Sequence, residues 1–187
     1  MPKAVLLDRD GVINEKAPEG EYVTRWEDFR FLAGAREGIS KFNRAGYKVI
    51  VVSNQRCVAK GLITESELQA LHQKMTSQLT AEGAVIDKIY YCPHDYPDAC
   101  DCRKPAPGML LQAASENGLN LQKTWMIGDS QSDMVAGRSA GCKTALVTQL
   151  NKSGIYADLV VDSLLEAARR IIEEREGAVG RPTNQST

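Results

Sequence analysis

Residues 4–11 are Ala4-Val5-Leu6-Leu7-Asp8-Arg9-Asp10-Gly11: four consecutive apolar residues, two carboxylates separated by an arginine, and a glycine. A continuous apolar run is typical of a strand in a parallel sheet, because helices cover both faces of such a sheet. Open α/β sheets bind their ligands at the carboxyl ends of their strands. This segment therefore predicts both the fold class and the position of a site.

The rest of the chain repeats this pattern. Helix-like segments separate the apolar runs; one begins at a capping box, Thr64–Glu67, and another ends at Gly118. The predicted strands are, in chain order, Ala4–Leu7, Tyr47–Ser53, Lys88–Cys92, Thr124–Ile127, Lys143–Val147 and Leu159–Val161. The alternation of strands and helices predicts a doubly wound, mostly parallel, Rossmann-like α/β sheet.

Composition and charge exclude several classes of protein. The 187 residues are 43% hydrophobic and 25% charged, as in an ordinary globular chain, so we expect one domain over residues 1–176 and a disordered polar tail over residues 177–187. With 23 basic and 24 acidic residues, no nucleic-acid partner is expected. No apolar run approaches the ~20 residues that span a bilayer, and no signal peptide is visible, so we expect a cytoplasmic protein. A monomer is the expectation, and the sequence carries no heptad repeat or obvious exposed patch from which the oligomeric state could be read.

The two carboxylates after the first strand suggest phosphoryl chemistry. In extended chain the side chains of Asp8 and Asp10 point the same way. Two ionised carboxylates so close together repel each other, and a divalent cation such as Mg²⁺ relieves that repulsion. Asp8 is then a candidate nucleophile toward phosphorus, and Asp10 a candidate acid and base. A turn rich in Asp and Gly would explain the tetrad Asp8-Arg9-Asp10-Gly11, taken alone, equally well.

Three further signals favour the catalytic interpretation. Ser53 ends the second predicted strand, Lys104 follows Cys-Arg in a long loop, and Gly128-Asp129-Ser130-x-x-Asp133 follows the fourth predicted strand. Each signal alone has an ordinary structural explanation, respectively a strand-end turn, a surface charge and a helix N-cap. Their combined order, each at a strand end or in a long loop, is far more specific than any one of them.

In this order of motifs the sequence resembles the haloacid dehalogenase-like phosphohydrolases, over nearly all of residues 3–150. The resemblance implies that Asp8 is the nucleophile and that Asp10 is the general acid and base. It also implies that Ser53 and Lys104 hold the phosphoryl group. The first strand is then expected in the middle of the sheet, and no insertion is large enough for a cap domain.

The same resemblance implies a catalytic Mg²⁺ site. Its ligands are expected to be the carboxylates of Asp8 and Asp129 together with the main-chain carbonyl of Asp10. Asp133 is expected to support this site without binding the metal directly.

A second metal site is predicted in the loop before Lys104. Three thiols and one imidazole fall within eleven positions, at Cys92, His94, Cys100 and Cys102. Four such ligands suit a tetrahedral structural Zn²⁺, which leaves no position open for catalysis. The alternative is a set of free thiols beside a surface histidine. The other chain histidine, His72, lies beside an apolar helix stripe and is expected to be a packing or surface residue.

The segment Cys92–Cys102, called here the cysteine loop, narrows the resemblance to the small zinc-loop phosphatases. Some of these remove the 7-phosphate of D-glycero-D-manno-heptose 1,7-bisphosphate, and others hydrolyse histidinol phosphate. Residues 103–109 and 53–61 are more similar to the heptose enzymes. Arg56-Cys57 replaces their usual Ser-Gly, and Ser130 stands where they often have lysine. The phosphorylated sugar and its anomer therefore stay open, with histidinol phosphate as the alternative substrate.

A bisphosphate needs a cation for the phosphate that does not react. Arg103 is the candidate, because a guanidinium binds phosphate through two parallel hydrogen bonds, and Arg56 supplements it. A different class, the phospho-accepting receiver domains, also carries acidic residues at a strand end but lacks a zinc loop. The full set of expected substrate contacts is Glu19, Gly20, Glu21, Tyr22, Asn54, Gln55, Arg56 and Arg103.

Overall fold

A six-stranded sheet organises the protein, and the computed structural model describes residues 1–150 and 154–179 of it. The strands are β1 (Lys3–Leu7), β2 (Tyr47–Asn54), β3 (Lys88–Cys92), β4 (Trp125–Gly128), β5 (Lys143–Val147) and β6 (Leu159–Val161). Their order is β3-β2-β1-β4-β5-β6, and every neighbouring pair is parallel. The predicted mostly parallel sheet is confirmed, and each strand lies within one residue of its predicted bounds.

Helices follow most of the strands. They are α1 (Ala35–Arg44), α2 (Glu65–Ala81), α3 (Gly108–Asn117), α4 (Gln131–Ala140) and α5 (Leu164–Val179). The last helix includes the first three residues of the segment predicted as a tail, and residues 180–187 lie outside the described residues. Among the residues that the structure describes, no helix is long and apolar enough to cross a membrane.

The central strand is buried on both faces. Val5 and Leu7 are fully buried in one apolar layer with α1, α2 and α5, whereas Ala4 and Leu6 are fully buried in a second layer with α3 and α4. Successive side chains of a strand point to opposite faces, so a strand covered on both faces requires apolar residues at every position. This arrangement explains the unbroken apolar run of the sequence.

Two long connections leave the carboxyl edge of the sheet. Residues 8–34 join β1 to α1 with one short 3-10 turn, and residues 93–107 join β3 to α3 with another. Neither is large enough to form a cap domain. Both are long for a compact domain, and such connections commonly carry function.

Candidate active site

The residues predicted to carry the chemistry meet at the carboxyl edge of the sheet. Asp8 and Asp10 follow β1, Ser53 lies near the end of β2, Asp129 follows β4, and Lys104 comes from the connection before α3. A cavity of about 410 Å³ opens at this edge. Ser53, Arg56 and Asp129 are not part of its lining. The predicted site residues that do line it are Asp8, Asp10, Glu19, Gly20, Glu21, Tyr22, Asn54, Gln55, Arg103 and Lys104.

Two glycines allow the strand ends to approach each other closely. A Cβ atom on Gly11 would lie 2.5 Å from Asp129 Oδ2, and one on Gly128 would lie 2.3 Å from Asp133 Cβ. Gly11 also has a φ of +89°, which L side chains rarely adopt. Glycine at these two positions therefore lets the carboxylates of β4 and α4 pack against the backbone.

Lys104 joins two of the acidic residues. Its ammonium lies 2.9 Å from Asp8 Oδ1 and 2.6 Å from Asp133 Oδ1, and it donates a hydrogen bond of 2.8 Å to the carbonyl of Val52. Burial opposes the charge of Lys104, but the carboxylates of Asp133 and Asp8 hold its pKa above the ordinary value. Lys104 is therefore a buried, permanently charged ammonium beside Asp8.

Asp8 has an unusual charge state. Burial raises the pKa of Asp8 to about 7, with further contributions from the neighbouring carboxylates of Asp133, Asp10 and Asp129, and only Lys104 opposes the rise. Without a metal ion, the ionised form of Asp8 is thus less favourable here than that of an ordinary carboxyl group in water. A strongly perturbed pKa in a cavity is typical of a reactive group.

The pKa of the second carboxylate of the tetrad, Asp10, is shifted in the opposite direction to that of Asp8. Asp10 accepts hydrogen bonds from Arg9 at 2.9 Å, from Asn14 at 2.9 Å and from Gln55 at 3.0 Å. Burial opposes its ionisation, but the charge and hydrogen bonds of Arg9, with those of Asn14 and Gln55, lower the pKa of Asp10 below its usual value. Asp10 is therefore fixed in position and ionised.

Arg9 links this carboxylate to the helix behind it. Its side chain is only 1% exposed, and its Nη1 lies 3.1 Å from Nε2 of His72 on α2. Burial and the charge of Arg9 lower the pKa of His72 to about 3, so the imidazole is neutral and accepts this hydrogen bond. His72 is buried, as a packing histidine would be, but its ring also orients the guanidinium that holds Asp10.

The polar residues at the end of β2 hold the site together from the inside. Asn54 donates a hydrogen bond of 2.9 Å to the carbonyl of Lys104 and accepts one of 3.0 Å from its N–H. Gln55 donates to Ser53 Oγ at 2.8 Å as well as to Asp10. Both residues were expected to contact substrate, and both line the cavity. Their side chains also fix the positions of Lys104 and Ser53.

Three carboxylates form a group suited to a hard cation. One oxygen each of Asp8, Asp129 and Asp133 lie within 4.8 Å of one another. Asp133 already accepts hydrogen bonds from the N–H and hydroxyl of Ser130, at 3.1 and 2.6 Å, and pairs with Lys104. Asp8 and Asp129 therefore have the more accessible oxygens. The donor set fits Mg²⁺, which prefers carboxylate oxygens.

Lys16 lies directly against this acidic group. Its Nζ donates to both oxygens of Asp129, at 3.2 and 2.9 Å. Burial opposes its charge, but Asp129 raises the pKa of Lys16 above its ordinary value. The ammonium therefore uses both oxygens of a carboxylate that is a candidate metal ligand.

The four predicted thiol and imidazole ligands converge in the second long connection. Distances between their ligand atoms are 3.6 Å for Cys92–His94, 3.6 Å for Cys92–Cys100, 3.2 Å for His94–Cys102 and 3.4 Å for Cys100–Cys102. Tetrahedral bonds of zinc length place such atoms ~3.5–3.8 Å apart. Burial opposes the thiolate of Cys100, but hydrogen bonds from Cys102 and the Arg103 backbone lower its pKa to about 7. These four residues can hold a metal ion.

Sequence reasoning missed two members of the site. Arg9 had a detectable signal, because it directly follows a buried strand between two carboxylates, where a buried charge requires a partner. Lys16 had none, because it lies in a connection without periodicity and meets Asp129 at a distance of 113 positions along the chain.

Comparisons with known proteins point to one family. A profile of the HAD-hydrolase-like family matches residues 101–167. The D-glycero-beta-D-manno-heptose-1,7-bisphosphate 7-phosphatase of Haemophilus ducreyi is 36% identical over 176 residues, which cover 88% of this chain and 95% of that protein. The enzyme of the same name from Rhodopseudomonas palustris is 40% identical over 145 residues, which cover 74% of this chain and 79% of that protein.

A solved structure agrees with these relatives. The D,D-heptose 1,7-bisphosphate phosphatase of B. bronchiseptica, complexed with magnesium and phosphate, superposes with a TM-score of 0.86 at 33% identity. The match covers 92% of this chain and 99% of that one. Similarity in sequence and in structure thus extends over nearly the whole length of both proteins. The chain belongs to the D-glycero-D-manno-heptose-1,7-bisphosphate 7-phosphatase family of HAD-like phosphatases.

Proposed function

We propose that this protein is a Mg²⁺-dependent phosphatase that removes the 7-phosphate of D-glycero-β-D-manno-heptose 1,7-bisphosphate. The observation that carries the proposal is the pairing of buried Asp8 with the Lys104 ammonium, 2.9 Å away, at the edge of a cavity that Asp10 also lines. A nucleophile, a cation for the phosphoryl oxygens and a proton carrier are thus adjacent. Relatives named for this substrate match over most of the chain.

The first half-reaction forms an aspartyl phosphate. A carboxylate oxygen of Asp8 attacks phosphorus, the bond from phosphorus to the sugar oxygen breaks, and Asp10 gives that oxygen a proton. The phosphate dianion opposes the ionisation of Asp10 as it enters, which favours the protonated form that this step needs. Asp8, Asp129 and the carbonyl of Asp10 would hold Mg²⁺, which would neutralise part of the negative charge that the phosphate brings to the carboxylates. Lys104 stabilises the charge of the transition state.

The second half-reaction restores the enzyme. Asp10, now ionised, takes a proton from a water molecule whose oxygen attacks phosphorus, and the bond from phosphorus to the Asp8 oxygen breaks. Inorganic phosphate leaves, and Asp8 is again a carboxylate. The hydrogen bonds from Arg9, Asn14 and Gln55 keep Asp10 aimed into the cavity for both proton transfers.

The experiment that tests this function is a comparison of kcat/KM for four substrates. They are the β- and α-anomers of heptose 1,7-bisphosphate, the 7-monophosphate and histidinol phosphate. We expect the β-anomer to be preferred and many equivalents of phosphate to be released per enzyme. A preference for histidinol phosphate would replace the proposed substrate, and release of a single equivalent would indicate a phospho-accepting receiver.

Replacing Arg103 by alanine is expected to weaken binding of the bisphosphate in particular. Arg103 lines the cavity beside Lys104, and a guanidinium binds a phosphate dianion strongly. Loss of one charge-assisted hydrogen bond corresponds to a roughly ten- to hundredfold rise in KM for the bisphosphate, with kcat little changed. The 7-monophosphate serves as the control substrate, and an equal rise in its KM would show that Arg103 does not bind the second phosphate.

Replacing Lys16 by methionine is expected to tighten Mg²⁺ binding about two- to fivefold. The ammonium on Asp129 competes with a divalent cation, and its 56% exposure limits the strength of that competition. Calorimetric titration with Mg²⁺ in the absence of substrate measures the effect directly. Lys74→Met, at an exposed position on α2, is the matched control. Unchanged or weaker Mg²⁺ binding by Lys16→Met would contradict the competition.

We propose that the second long connection holds one structural Zn²⁺ through Cys92, His94, Cys100 and Cys102. Protein purified without chelator is then expected to contain about one equivalent of zinc by elemental analysis. Cys100→Ser should lose the metal and lower the melting temperature, because the connection has little apolar core of its own. Cys142→Ser, a change at a buried thiol outside the cluster, should keep it. Wild-type protein without zinc would show the assignment to be wrong.

A further inference from the structure

An exposed tyrosine lies in the middle of the cysteine loop and faces the cavity. Tyr96 begins a 3-10 turn, Tyr96–Asp98, between His94 and Cys100. It is 68% exposed, yet it lines the same cavity as Asp8 and Lys104. Nothing in the proposed reaction uses it. A large aromatic side chain left exposed beside a substrate cavity calls for an explanation.

Two guanidinium groups lie over the ring of Tyr96. The Cζ atom of Arg56 is 4.5 Å from the ring centroid, and that of Arg103 is 4.4 Å from it. Both distances are well within the range of cation–π attraction, which reaches about 6 Å. Arg56 comes from the segment after β2 and Arg103 from the far end of the cysteine loop. One ring thus brings together two cations from separate parts of the chain.

Each arginine is also anchored on one side, which leaves other donors available. Arg56 forms an ion pair with Asp95 through its Nε, and Arg103 donates from Nη1 to the carbonyl of His94 at 3.2 Å. Nε of Arg103 is buried and has no hydrogen-bond partner among the described residues. A guanidinium carries five N–H donors, so each group has spare donors for a ligand. The accessible N–H groups among these donors suit the oxygens of an anion.

The charges around the Tyr96 ring also favour an anion. Arg56 and Arg103 bring two positive charges, and Lys60 brings a third nearby, 5.4 Å from the ring of Tyr22. Asp95 compensates one of them. The remaining cations match a phosphate dianion, and they are additional to Lys104, whose ammonium pairs with Asp8 and Asp133.

We propose that Tyr96 is a specificity-determining positioning residue, which holds Arg56 and Arg103 together as a paired binding site for the non-reacting phosphate of a sugar bisphosphate. The proposal rests on the proposed function, since it assigns the second phosphate of that substrate. Without the ring, two like-charged guanidinium groups repel each other and lose the surface that orders them. The ring offsets that repulsion, and its two torsions cost little conformational entropy to order.

Removing the ring should affect only substrates that carry a second phosphate. Tyr96→Ala is expected to raise KM for heptose 1,7-bisphosphate roughly five- to thirtyfold, the sum of two cation–π contacts, and to leave kcat nearly unchanged. KM for the 7-monophosphate should stay within about twofold of wild type. Tyr96→Phe keeps the aromatic face and should restore most of the affinity. A residue that only stabilised the loop would change both substrates alike.

Two controls separate positioning from folding. Tyr156 is 67% exposed, has the guanidinium of Arg138 5.4 Å from its ring and does not line this cavity, so Tyr156→Ala should have wild-type kinetics. Zinc content and melting temperature of Tyr96→Ala verify that the loop is intact. Because Tyr96 acts through both Arg56 and Arg103, the double variant Tyr96→Ala/Arg103→Ala should raise KM by less than the product of the two single effects.

The outcomes distinguish this inference from the proposed function. If wild-type enzyme turns over heptose bisphosphate but Tyr96→Ala has an unchanged ratio of KM between bisphosphate and monophosphate, the inference is wrong and the function stands. Fully additive effects in the double variant also overturn it. If heptose bisphosphate is not a substrate, the same ratio is measured with the best sugar bisphosphate in a panel. Dependence on Tyr96 there supports the inference alone, and a lack of preference for any bisphosphate rejects both.

Discussion

Replacing Asp8 by asparagine is expected to abolish turnover while leaving the fold at least as stable as in the wild type. An amide cannot attack phosphorus, so no aspartyl phosphate forms. The same change removes one of three carboxylates that crowd together, with Asp129 and Asp133 as the other two. Lys104 keeps a partner, because its ammonium remains 2.6 Å from Asp133.

The raised pKa of Asp8 determines how the difference in stability between Asp8→Asn and wild type should change with pH. The pKa of Asp8 is raised to about 7 in the folded protein from an ordinary value of 3.8. A carboxyl group with a raised pKa favours the folded state while it is protonated, and this contribution is lost as the pH rises through 3.8 toward 7. The Asp8→Asn variant does not lose stability in this way, because its amide does not titrate. The difference in unfolding free energy between variant and wild type should therefore grow by on the order of 2–4 kcal/mol between pH 4 and pH 8, and level off above.

Urea unfolding without added Mg²⁺, together with phosphate-release kinetics, measures both effects. Asp28→Asn, which removes a carboxylate from an exposed ion pair with Arg25, is the matched control and should change stability by less than about 1 kcal/mol. Turnover by Asp8→Asn above about one per cent of wild type would exclude Asp8 as the only nucleophile, since loss of such a group normally costs many orders of magnitude.

The Asp10→Asn variant is expected to lose activity and stability together. Loss of proton transfer corresponds to a decrease in kcat of roughly 10²–10⁴-fold. Arg9 is only 1% exposed, and Asp10 is the acid that neutralises it. Breaking a buried pair by removing one partner leaves an uncompensated charge and costs about 3 kcal/mol or more. Asp10→Ala, which also removes the hydrogen-bond acceptors, should be less stable still.

A double-mutant cycle identifies the cause of that destabilisation. Arg9→Leu combined with Asp10→Ala removes both charges, so the double variant should be more stable than the sum of the single changes implies. His72 then loses its donor, while its burial, the largest cause of its low pKa, remains. Additive losses in the cycle would show that Arg9 and Asp10 are not coupled. Because the pKa of Asp10 is lowered, its contribution to stability is present above pH 4 and is lost only in more acidic solution.

The two carboxylates of one tetrad therefore have opposite effects on the protein. Asp8 is held at a cost to stability, and Asp10 is required for stability. The difference arises from their partners. Asp8 shares Lys104 with Asp133, whereas Asp10 has its own guanidinium and two amide donors.

The strands, and the position of the candidate carboxylates at the carboxyl end of one of them, were predictable because they depend on short-range patterns. Burial on both faces makes a parallel strand continuously apolar, and the carboxyl end of such a strand is a known location for ligands. The contacts that tune the site are different in kind. Arg9 meets His72 across 63 positions, and Lys16 meets Asp129 across 113. No local periodicity encodes a contact between side chains brought together only by the packing of the whole sheet.

The paired arginines illustrate the same limit. Arg56 and Arg103 were each expected to contact substrate, because each is a cation close to a catalytic motif. Their shared partner, Tyr96, lies in a loop whose path follows from the convergence of four ligand side chains. Sequence spacing predicts those ligands, but it does not place a tyrosine between them over two guanidinium groups.

The position of β1 in the sheet has a consequence for synthesis of the protein on the ribosome. Of the six strands of this sheet β1 is made first, yet it lies between β2 and β4, and Val5 pairs with Trp125. About 120 residues must therefore be added before the second edge of the first strand finds its neighbour. Until then the growing chain exposes an unpaired apolar edge, which is a template for association with other chains. We therefore expect a nascent chain that stalls before residue 125 to associate with other chains more readily than one in which β4 has been made, even though β1 and α1 are already complete.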